Sequence, residues 1–190
     1  MTEPLARPGK KNPVLKSRAP TLPPGSRSRV ALGLTAAAAL GRFELQVCKE
    51  CEAVQYPPRE ACHRCLSEKL QWREQEGGGE LISETILRHS NDLFFRERLP
   101  WRLGMVRLDA GPTVVTHLHG DCAQAPSRVK ISAVLDRAGQ GVLMAFPVTE
   151  TANMADDPQL RELTSDPKFR RALVTDGKTA VGQAITRALI

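Results

Sequence analysis

Short runs of alternating apolar and polar residues fill the middle of the chain and predict β-strands. Phe43, Leu45 and Val47 alternate with polar residues, and a second run around Leu70 and Trp72 matches the first. Alternation with a period of two is the pattern of a strand that buries one face. The two runs therefore predict a small sheet between residues 43 and 76.

Five further runs follow Gly77–Gly79, with turn residues between them. Short strands at this spacing are typical of a small Greek-key barrel of the OB type. No helix follows the three glycines, so we interpret them as a linker and the start of a strongly coiled strand, and not as a phosphate-binding loop. The predicted strands span residues 80–88, 102–109, 113–119, 128–136 and 141–148.

Before the first strand, Val30–Leu40 carries its apolar residues at helical spacing. Ser26 or Ser28 is placed to cap this helix, and Gly41 is placed to end it. An apolar helix face docks on the protein's own core or on a partner, and core docking is the simpler interpretation. The run is 11 residues long, whereas a membrane span needs about 20.

Four of the five cysteines lie within one short segment. Their spacing is C-x-x-C, ten residues, and C-x-x-C, which brings four thiolates to the corners of a tetrahedron. The ligands are Cys48, Cys51, Cys62 and Cys65. We therefore predict a zinc ribbon with a closed, structural zinc site, and the same ligand set also suits iron. A matched pair of motifs argues against a redox site, and the rest of the chain does not resemble a disulfide scaffold.

Glu52 and Leu66 stand where a tight knuckle turn usually has glycine. These residues leave the four predicted ligands unchanged. They argue only against a tight turn after the second cysteine of each C-x-x-C pair.

The net charge of +6 belongs to the first 30 residues, because residues 31–190 hold equal numbers of basic and acidic side chains. Six prolines fall in residues 1–26, which we expect to form a disordered basic tail. This tail is either a solvated segment without a specific partner, a transient electrostatic tether or a transit peptide. A neutral body argues against nucleic acid as the partner. Free thiolates favour a cytoplasmic location.

The loop between the first two barrel strands, residues 90–101, is unusually rich in aromatic and basic residues. It contains Phe94, Phe95, Arg96, Arg98 and Trp101. These side chains suit a ligand with an apolar tail and an anionic head group. They could equally cap the open end of the barrel.

His117 and His119 share one strand face, and Cys122 follows. This trio could bind a metal, but ordinary strand-face histidines and a small buried cysteine are the simpler interpretation. No motif in the chain identifies a catalytic residue.

The order of helix, cysteine frame and barrel resembles the family once called domain of unknown function 35, whose members join a rubredoxin-like zinc ribbon to an OB-fold associated with acyl-CoA. The resemblance covers about residues 30–149. It rests on the helix, on residues 41–51, on Tyr56-Pro-Pro-Arg59 before Cys62 and Cys65, on Gly79-Glu-Leu before the first barrel strand, and on Leu99-Pro100 before the second.

That resemblance implies a non-catalytic accessory or scaffold subunit for a thiolase, thiolase-like aldolase or hydratase acting on CoA thioesters. The OB-fold would help to hold the acyl-CoA thioester while the partner enzyme performs the chemistry. The four cysteines match the family's zinc ligands. Contact with acyl-CoA or with the partner is expected at the aromatic and basic residues of loop 94–101. No residue-level motif of the family is matched in this loop.

The last 20 residues resemble the opening βα unit of a short-chain dehydrogenase/reductase. Thr175, Gly177 and Gly182 fit its glycine fingerprint loosely, whereas Asp176 and Ala180 replace two glycines. The stretch is either a truncated start of a Rossmann domain or an ordinary strand and helix packed on the barrel, and it implies no dehydrogenase activity.

The sequence thus predicts a mainly β chain with flanking helices. Its parts are a basic tail (1–26), a docking helix (27–42), a zinc ribbon (43–76), an OB-fold barrel (77–150) and a βα appendage (151–190). The leading hypothesis is the acyl-CoA-binding or scaffold subunit. The alternatives are a single-stranded nucleic-acid binder and a reductase fragment with residual cofactor binding.

Overall fold

The structure is a computed structural model that describes residues 21–164 and 174–189. Within these residues the chain forms two β structures and four α-helices. A 3-10 turn (Arg29–Ala31) precedes α1 (Leu32–Ala39). The strands are β1 (Glu44–Cys48), β2 (Val54–Gln55), β3 (Leu70–Glu74), β4 (Gly78–Leu87), β5 (Trp101–Leu108), β6 (Thr113–Leu118), β7 (Ser127–Leu135) and β8 (Gly141–Pro147). The other helices are α2 (Leu93–Arg96), α3 (Pro158–Leu163) and α4 (Ala180–Leu189).

The first β structure is an antiparallel sheet in the order β2-β1-β3. Gln46 in the central strand lies opposite Gln55 on one side and Trp72 on the other. The strands predicted around Leu45 and Leu70 are therefore confirmed, and they pair with each other.

The second β structure is a closed barrel in the order β4-β5-β6-β8-β7. All five strands lie within two residues of their predicted ranges, so the prediction of a five-stranded barrel is confirmed. β6 and β8 pair in parallel and close the barrel through two residue pairs. Gly79 lies in β4, where a Cβ atom would come within 2.7 Å of Val106, so this glycine permits the close approach of β4 and β5.

Helix α1 joins the ribbon to the barrel. Leu34, Ala37 and Ala38 are buried, which confirms docking on the protein's own core. The predicted serine cap is wrong, because Ser28 precedes the 3-10 turn and its side chain makes no capping hydrogen bond. Gly41 has a φ of +69°, which is the left-handed conformation expected of a residue that ends a helix.

Two glycines allow α1 to approach both structures closely. A Cβ atom at Gly33 would overlap the indole ring of Trp72 in the ribbon. On the barrel side, the Gly141 N–H donates to Thr35 Oγ1 at 2.9 Å, and a Cβ atom there would lie 2.9 Å from the backbone of Leu34. The helix thus fixes the ribbon against the barrel through backbone-level contacts.

Segments at both ends of the barrel complete the fold. Thr21 Oγ1 accepts a hydrogen bond from Arg98 at 3.0 Å, so the N-terminal segment contacts the loop between β4 and β5 at this residue, while residues 1–20 lie outside the described residues. Asp157 caps α3 and accepts from the Gly120 N–H at 2.7 Å. Most of the strand predicted before Thr175 also lies outside the described residues, whereas the helix after it is present as α4.

No helix within residues 21–164 and 174–189 combines the length and the apolar character needed to cross a membrane.

We predict that Gly33→Ala destabilises the protein. Alanine favours helix formation by itself, but its methyl group overlaps Trp72 and forces the indole to move. Overpacking of this kind costs about 1–3 kcal/mol, which urea denaturation would measure. In the Trp72→Leu background the ring is gone, so Gly33→Ala should cost much less than it does in the parent. Equal stability of Gly33→Ala and the parent would contradict the packing argument.

Candidate metal centre and ligand cavities

Two tight turns with the same geometry carry the four cysteines. In each turn, the carbonyl oxygen of the first cysteine accepts a hydrogen bond from the N–H group four residues later. The Glu52 N–H donates to Cys48 O and the Leu66 N–H donates to Cys62 O, both at 3.0 Å. Glu52 has a φ of 57° and Leu66 a φ of 61°. Both residues therefore adopt the left-handed conformation that glycine usually supplies, and tight turns form although the sequence lacks glycine at these positions.

The four sulfur atoms meet in one cluster. The Sγ atoms of Cys48 and Cys65 are 3.5 Å apart, and those of Cys51 and Cys62 are 3.6 Å apart. All four lie within 4.8 Å of one another. A zinc ion with sulfur ligands at about 2.3 Å requires tetrahedral edges of about 3.8 Å. The sulfur positions therefore fit one tetrahedral metal ion.

Backbone donors surround this cluster. The N–H groups of Glu50 and Arg64 each lie 3.4 Å from a cysteine sulfur, Cys48 and Cys62 respectively. The N–H groups of Cys65 and Arg64 lower the pKa of Cys62 to about 6. Such donors stabilise thiolate, which is the form that binds metal.

The neighbouring sulfurs have the opposite effect on Cys65. Although the Ser67 N–H lowers its pKa, the other three cysteines and desolvation raise it to about 12. Four sulfurs this close cannot all ionise without a cation between them. The donor set thus fits a structural four-coordinate metal ion, which has no open position for substrate.

A buried glutamine pair, which the sequence analysis missed, supports the second turn. Gln55 Nε2 donates to Gln46 Oε1 at 3.0 Å, and Gln46 Oε1 also accepts from the Arg59 N–H at 2.8 Å. Gln55 Oε1 accepts from the His63 N–H at 3.0 Å. The pair therefore positions the chain on both sides of Cys62. The sequence shows only two glutamines nine residues apart, and their burial and pairing in adjacent strands appear only in the structure.

The aromatic loop residues meet at one end of the barrel. Asp92 caps α2 by accepting from the N–H groups of Phe94 and Phe95. Phe94 and Trp101 are each only 1% exposed. The ring centroids of Phe95 and Trp101 are 5.3 Å apart, and those of Phe94 and Trp101 are 6.2 Å apart. The three rings therefore form a packed layer, and Phe94 has almost no surface left for a ligand.

The two loop arginines have different environments. The Arg98 guanidinium lies 4.1 Å from the centroid of the Phe94 ring and donates to Glu162 at 2.8 Å. Arg96 is exposed. Arg98 is thus held by internal contacts, whereas Arg96 is the loop cation directed to solvent.

Beside this layer lies a cavity of about 270 Å³, called the aromatic cavity below. Its walls are mainly apolar and come from the N-terminal segment, α2, α3 and the barrel strands. They include Pro23, Leu87, Phe95, Trp101, Leu103, Val142 and Leu163. Phe95 and Trp101 are thus the predicted contact residues that line a cavity.

A second cavity, of about 420 Å³, lies between the N-terminal segment, the ribbon and the barrel, and is called the Tyr56 cavity below. Its lining includes Ser26, Arg27, Ser28, Tyr56 and Pro57. Arg27, Val115, His117 and Val142 line both cavities. The two cavities therefore adjoin each other at these residues.

His117 occupies this junction in a defined protonation state. The indole N–H of Trp101 donates to His117 Nδ1 at 2.9 Å. Burial and the nearby charge of Arg27 lower the pKa of His117 to about 4. The imidazole is therefore neutral near pH 7, and because Nδ1 accepts, its proton resides on Nε2.

His119 and Cys122 lie elsewhere and do not join His117 in a metal site. His119 is buried, and its Nδ1 accepts from the Asp121 N–H at 3.0 Å. Burial raises the pKa of Cys122 to about 11. Among the described residues, the metal-binding group is the four-cysteine cluster, in agreement with the simpler interpretation of these three side chains.

Two family models match consecutive parts of the chain. Residues 35–71 match the model described as ChsH2, rubredoxin-like zinc ribbon domain. Residues 72–140 match the model described as ChsH2, C-terminal OB-fold domain. The boundary between the two matches falls inside strand β3. Nothing in these matches supports the resemblance of the C-terminal residues to a reductase.

A probable enoyl-CoA hydratase alpha subunit from Thermomonospora curvata is 29% identical over 113 residues, covering 58% of this chain and 34% of that protein. The chain thus spans about a third of that relative's length. A solved structure named Ltp2-ChsH2(DUF35) aldolase matches with a TM-score of 0.56 at 23% identity, covering 65% of this chain and 98% of that one, which shows a shared fold. A DUF35 protein of unknown function from Sulfolobus solfataricus gives a TM-score of 0.43 at 15% identity, covering 62% and 84%.

We predict that the purified chain retains one zinc ion and that Cys51→Ser abolishes stoichiometric retention. Loss of one sulfur opens the tetrahedron and leaves three ligands. Metal analysis after dialysis against a weak chelator measures the effect. Cys122→Ala is the matched control, because that cysteine lies outside the cluster. Full zinc retention by the Cys51 variant would contradict the assignment.

We predict that His117 makes the fold sensitive to acid. The unfolded chain binds its proton near pH 6.5 but the folded chain only near pH 4, so the free energy of unfolding decreases as the pH falls between these values. His117→Gln removes this contribution, of about 3 kcal/mol in full, and its stability should decline less over that range.

Urea denaturation between pH 4 and 7 measures the difference. His89→Gln is the control, because His89 is exposed and its removal leaves the slope unchanged. Protonation of the cysteine ligands contributes equally to all three proteins. Parallel stability profiles for the parent and His117→Gln would contradict a depressed pKa.

Proposed function

This chain belongs to the ChsH2 family over residues 35–140, and we propose that it is a non-catalytic subunit that binds an acyl-CoA thioester and assists a partner enzyme. The partner would be of the thiolase-like, aldolase or hydratase class. Support comes from the curated relative, which is named as a hydratase subunit, and from the solved homologous fold, whose name joins it to Ltp2 in an aldolase.

The observation that carries the proposal is the combination of a closed metal site with an apolar cavity. The four thiolates occupy every position of a tetrahedral ion, so the metal supports the fold and supplies no Lewis acid. The aromatic cavity has the apolar walls that an acyl group requires, with Arg27 at its edge as a cation. Binding is thus assigned to this chain and chemistry to its partner.

The metal in the ribbon is proposed to be zinc, held by Cys48, Cys51, Cys62 and Cys65. Zinc favours a tetrahedral thiolate site and needs no redox chemistry. Iron would occupy the same sulfurs, and metal analysis of the purified protein would distinguish the two ions.

The arrangement of the aromatic residues favours acyl-CoA over single-stranded nucleic acid. Strand-binding barrels present exposed rings on which bases stack. Phe94 and Trp101 are buried, and Phe95 faces them in the same layer. These rings are therefore placed to line a cavity, not to form a stacking platform.

We predict that Phe95→Ala weakens binding of a medium-chain acyl-CoA by about tenfold and leaves binding of free CoA unchanged. The ring forms one wall of the aromatic cavity, so its removal costs apolar contact with the acyl group alone. Calorimetric titration of the zinc-loaded chain, with and without a co-expressed partner enzyme, measures both ligands.

Leu93→Ala is the matched control on the same helix, because Leu93 is exposed and does not line the cavity. It should bind acyl-CoA like the parent. Absence of saturable acyl-CoA binding both alone and with the partner would contradict the proposed function. Equal losses for the Phe95 and Leu93 variants would move the acyl site away from this cavity.

A further inference from the structure

His117 presents an unused hydrogen-bond donor where the two cavities meet. Its Nδ1 is occupied by the Trp101 indole N–H, so the ring proton lies on Nε2. Within residues 21–164 and 174–189, Nε2 has no hydrogen-bond partner. His117 lines both cavities. The Nε2–H group is therefore available to an occupant of the junction.

Aromatic contacts fix the orientation of this donor. The Phe95 ring stacks on the imidazole with centroids 6.0 Å apart and planes at 20°. The Trp101 ring lies at 89° with centroids 5.7 Å apart. A donor held from two sides loses little rotational freedom when a ligand binds. This rigidity is expected of a recognition group, and Trp101 is its positioning residue.

The two cavities differ in polarity on either side of His117. The aromatic cavity has leucine, valine and aromatic walls. The Tyr56 cavity adds two serines and Tyr56, whereas Arg27 lines both cavities. A ligand spanning both would place its apolar end on the first side and its polar or anionic end on the second.

One oxygen atom on each of two polar side chains that line the aromatic cavity also lacks a partner. Thr116 Oγ1 and Asp136 Oδ2 are buried and make no hydrogen bond within the described residues, and both residues belong to the cavity lining. Buried polar atoms of native proteins are nearly always satisfied. An acyl chain offers these two oxygens no hydrogen bond, so ordered water beside the ligand is required to satisfy them.

Building on the proposed function, we propose that His117 recognises the thioester carbonyl of the acyl-CoA. Its Nε2–H donates to the carbonyl oxygen at the junction, the acyl group lies in the aromatic cavity, and the chain beyond the sulfur passes Arg27 into the Tyr56 cavity. A neutral donor suits a neutral carbonyl oxygen, whereas Arg27 suits the anionic part of CoA.

The volume of the aromatic cavity restricts the acyl group. A protein cavity of about 150 Å³ holds one benzene molecule, and the aromatic cavity has about 270 Å³. It therefore takes a compact acyl group on the order of ten carbon atoms. The substrate class is medium-chain or single-ring acyl-CoA.

The test compares octanoyl-CoA with S-octyl-CoA, a thioether that lacks only the carbonyl oxygen, using the full zinc-loaded chain. The parent should bind the thioester roughly threefold to tenfold more tightly, which is the value of one hydrogen bond. His117→Phe should bind the two ligands equally. His89→Phe is the matched control, because His89 is exposed and lines neither cavity.

Nitrogen NMR of the parent protein gives a second readout that needs no variant. Octanoyl-CoA should shift the His117 Nε2 resonance while Nδ1 keeps its acceptor signature, and S-octyl-CoA should leave Nε2 unchanged. Trp101→Phe should mix the two tautomers and reduce the preference for the thioester. This readout decides the matter even where His117→Phe folds poorly.

The outcomes separate this inference from the proposed function. Equal affinity of the parent for both ligands, or an unmoved Nε2 resonance, overturns carbonyl recognition while CoA binding stands. Binding of neither ligand, with the chain alone and with the partner enzyme, overturns both. Affinity that continues to rise from octanoyl-CoA to hexadecanoyl-CoA by about fourfold per methylene overturns the assignment of the acyl group to this cavity.

Discussion

The close packing of α1 between the ribbon and the barrel is the contact on which the other features depend. Gly33 lets the helix touch Trp72 of the ribbon, and Gly141 of the barrel lets Leu34 and Thr35 approach its backbone. Such contacts leave no room for sliding, because either partner would have to move against main-chain atoms. The Tyr56 cavity exists because this packing fixes three segments around one space.

The aromatic loop forms a packed layer and also lines a cavity, whereas the sequence offered a barrel cap and a ligand contact as alternatives. Phe94 is buried beneath the Arg98 guanidinium and packs in one hydrophobic cluster with Trp101, Val142 and Leu163. Phe95 and Trp101 extend from the same layer to the wall of a cavity. A rigid cap and a cavity wall are compatible, since a packed layer holds its outer rings in one orientation.

Local sequence patterns predicted the strands and the metal ligands. They did not predict contacts between residues that are distant in the sequence. The spacing of Cys48 to Cys65 and the alternation of the five barrel strands are short-range signals, and both proved reliable. The pairing of Trp101 with His117, 16 residues apart, depends on the register of β5 and β6, which one sequence does not reveal. Left-handed Glu52 and Leu66 likewise follow from closure of the cysteine turns and not from their own preferences.

The walls of the Tyr56 cavity come from the ribbon, the N-terminal segment and the barrel together. An occupant of this space contacts the segment that the metal holds in place, so metal retention and ligand affinity share one free energy of coupling. That coupling is reciprocal: an occupant that favours the assembled ribbon raises the affinity for the metal by the same factor by which the metal raises the affinity for the occupant. The ribbon would then be more than a support, because its metal content would set how tightly an occupant of this cavity binds.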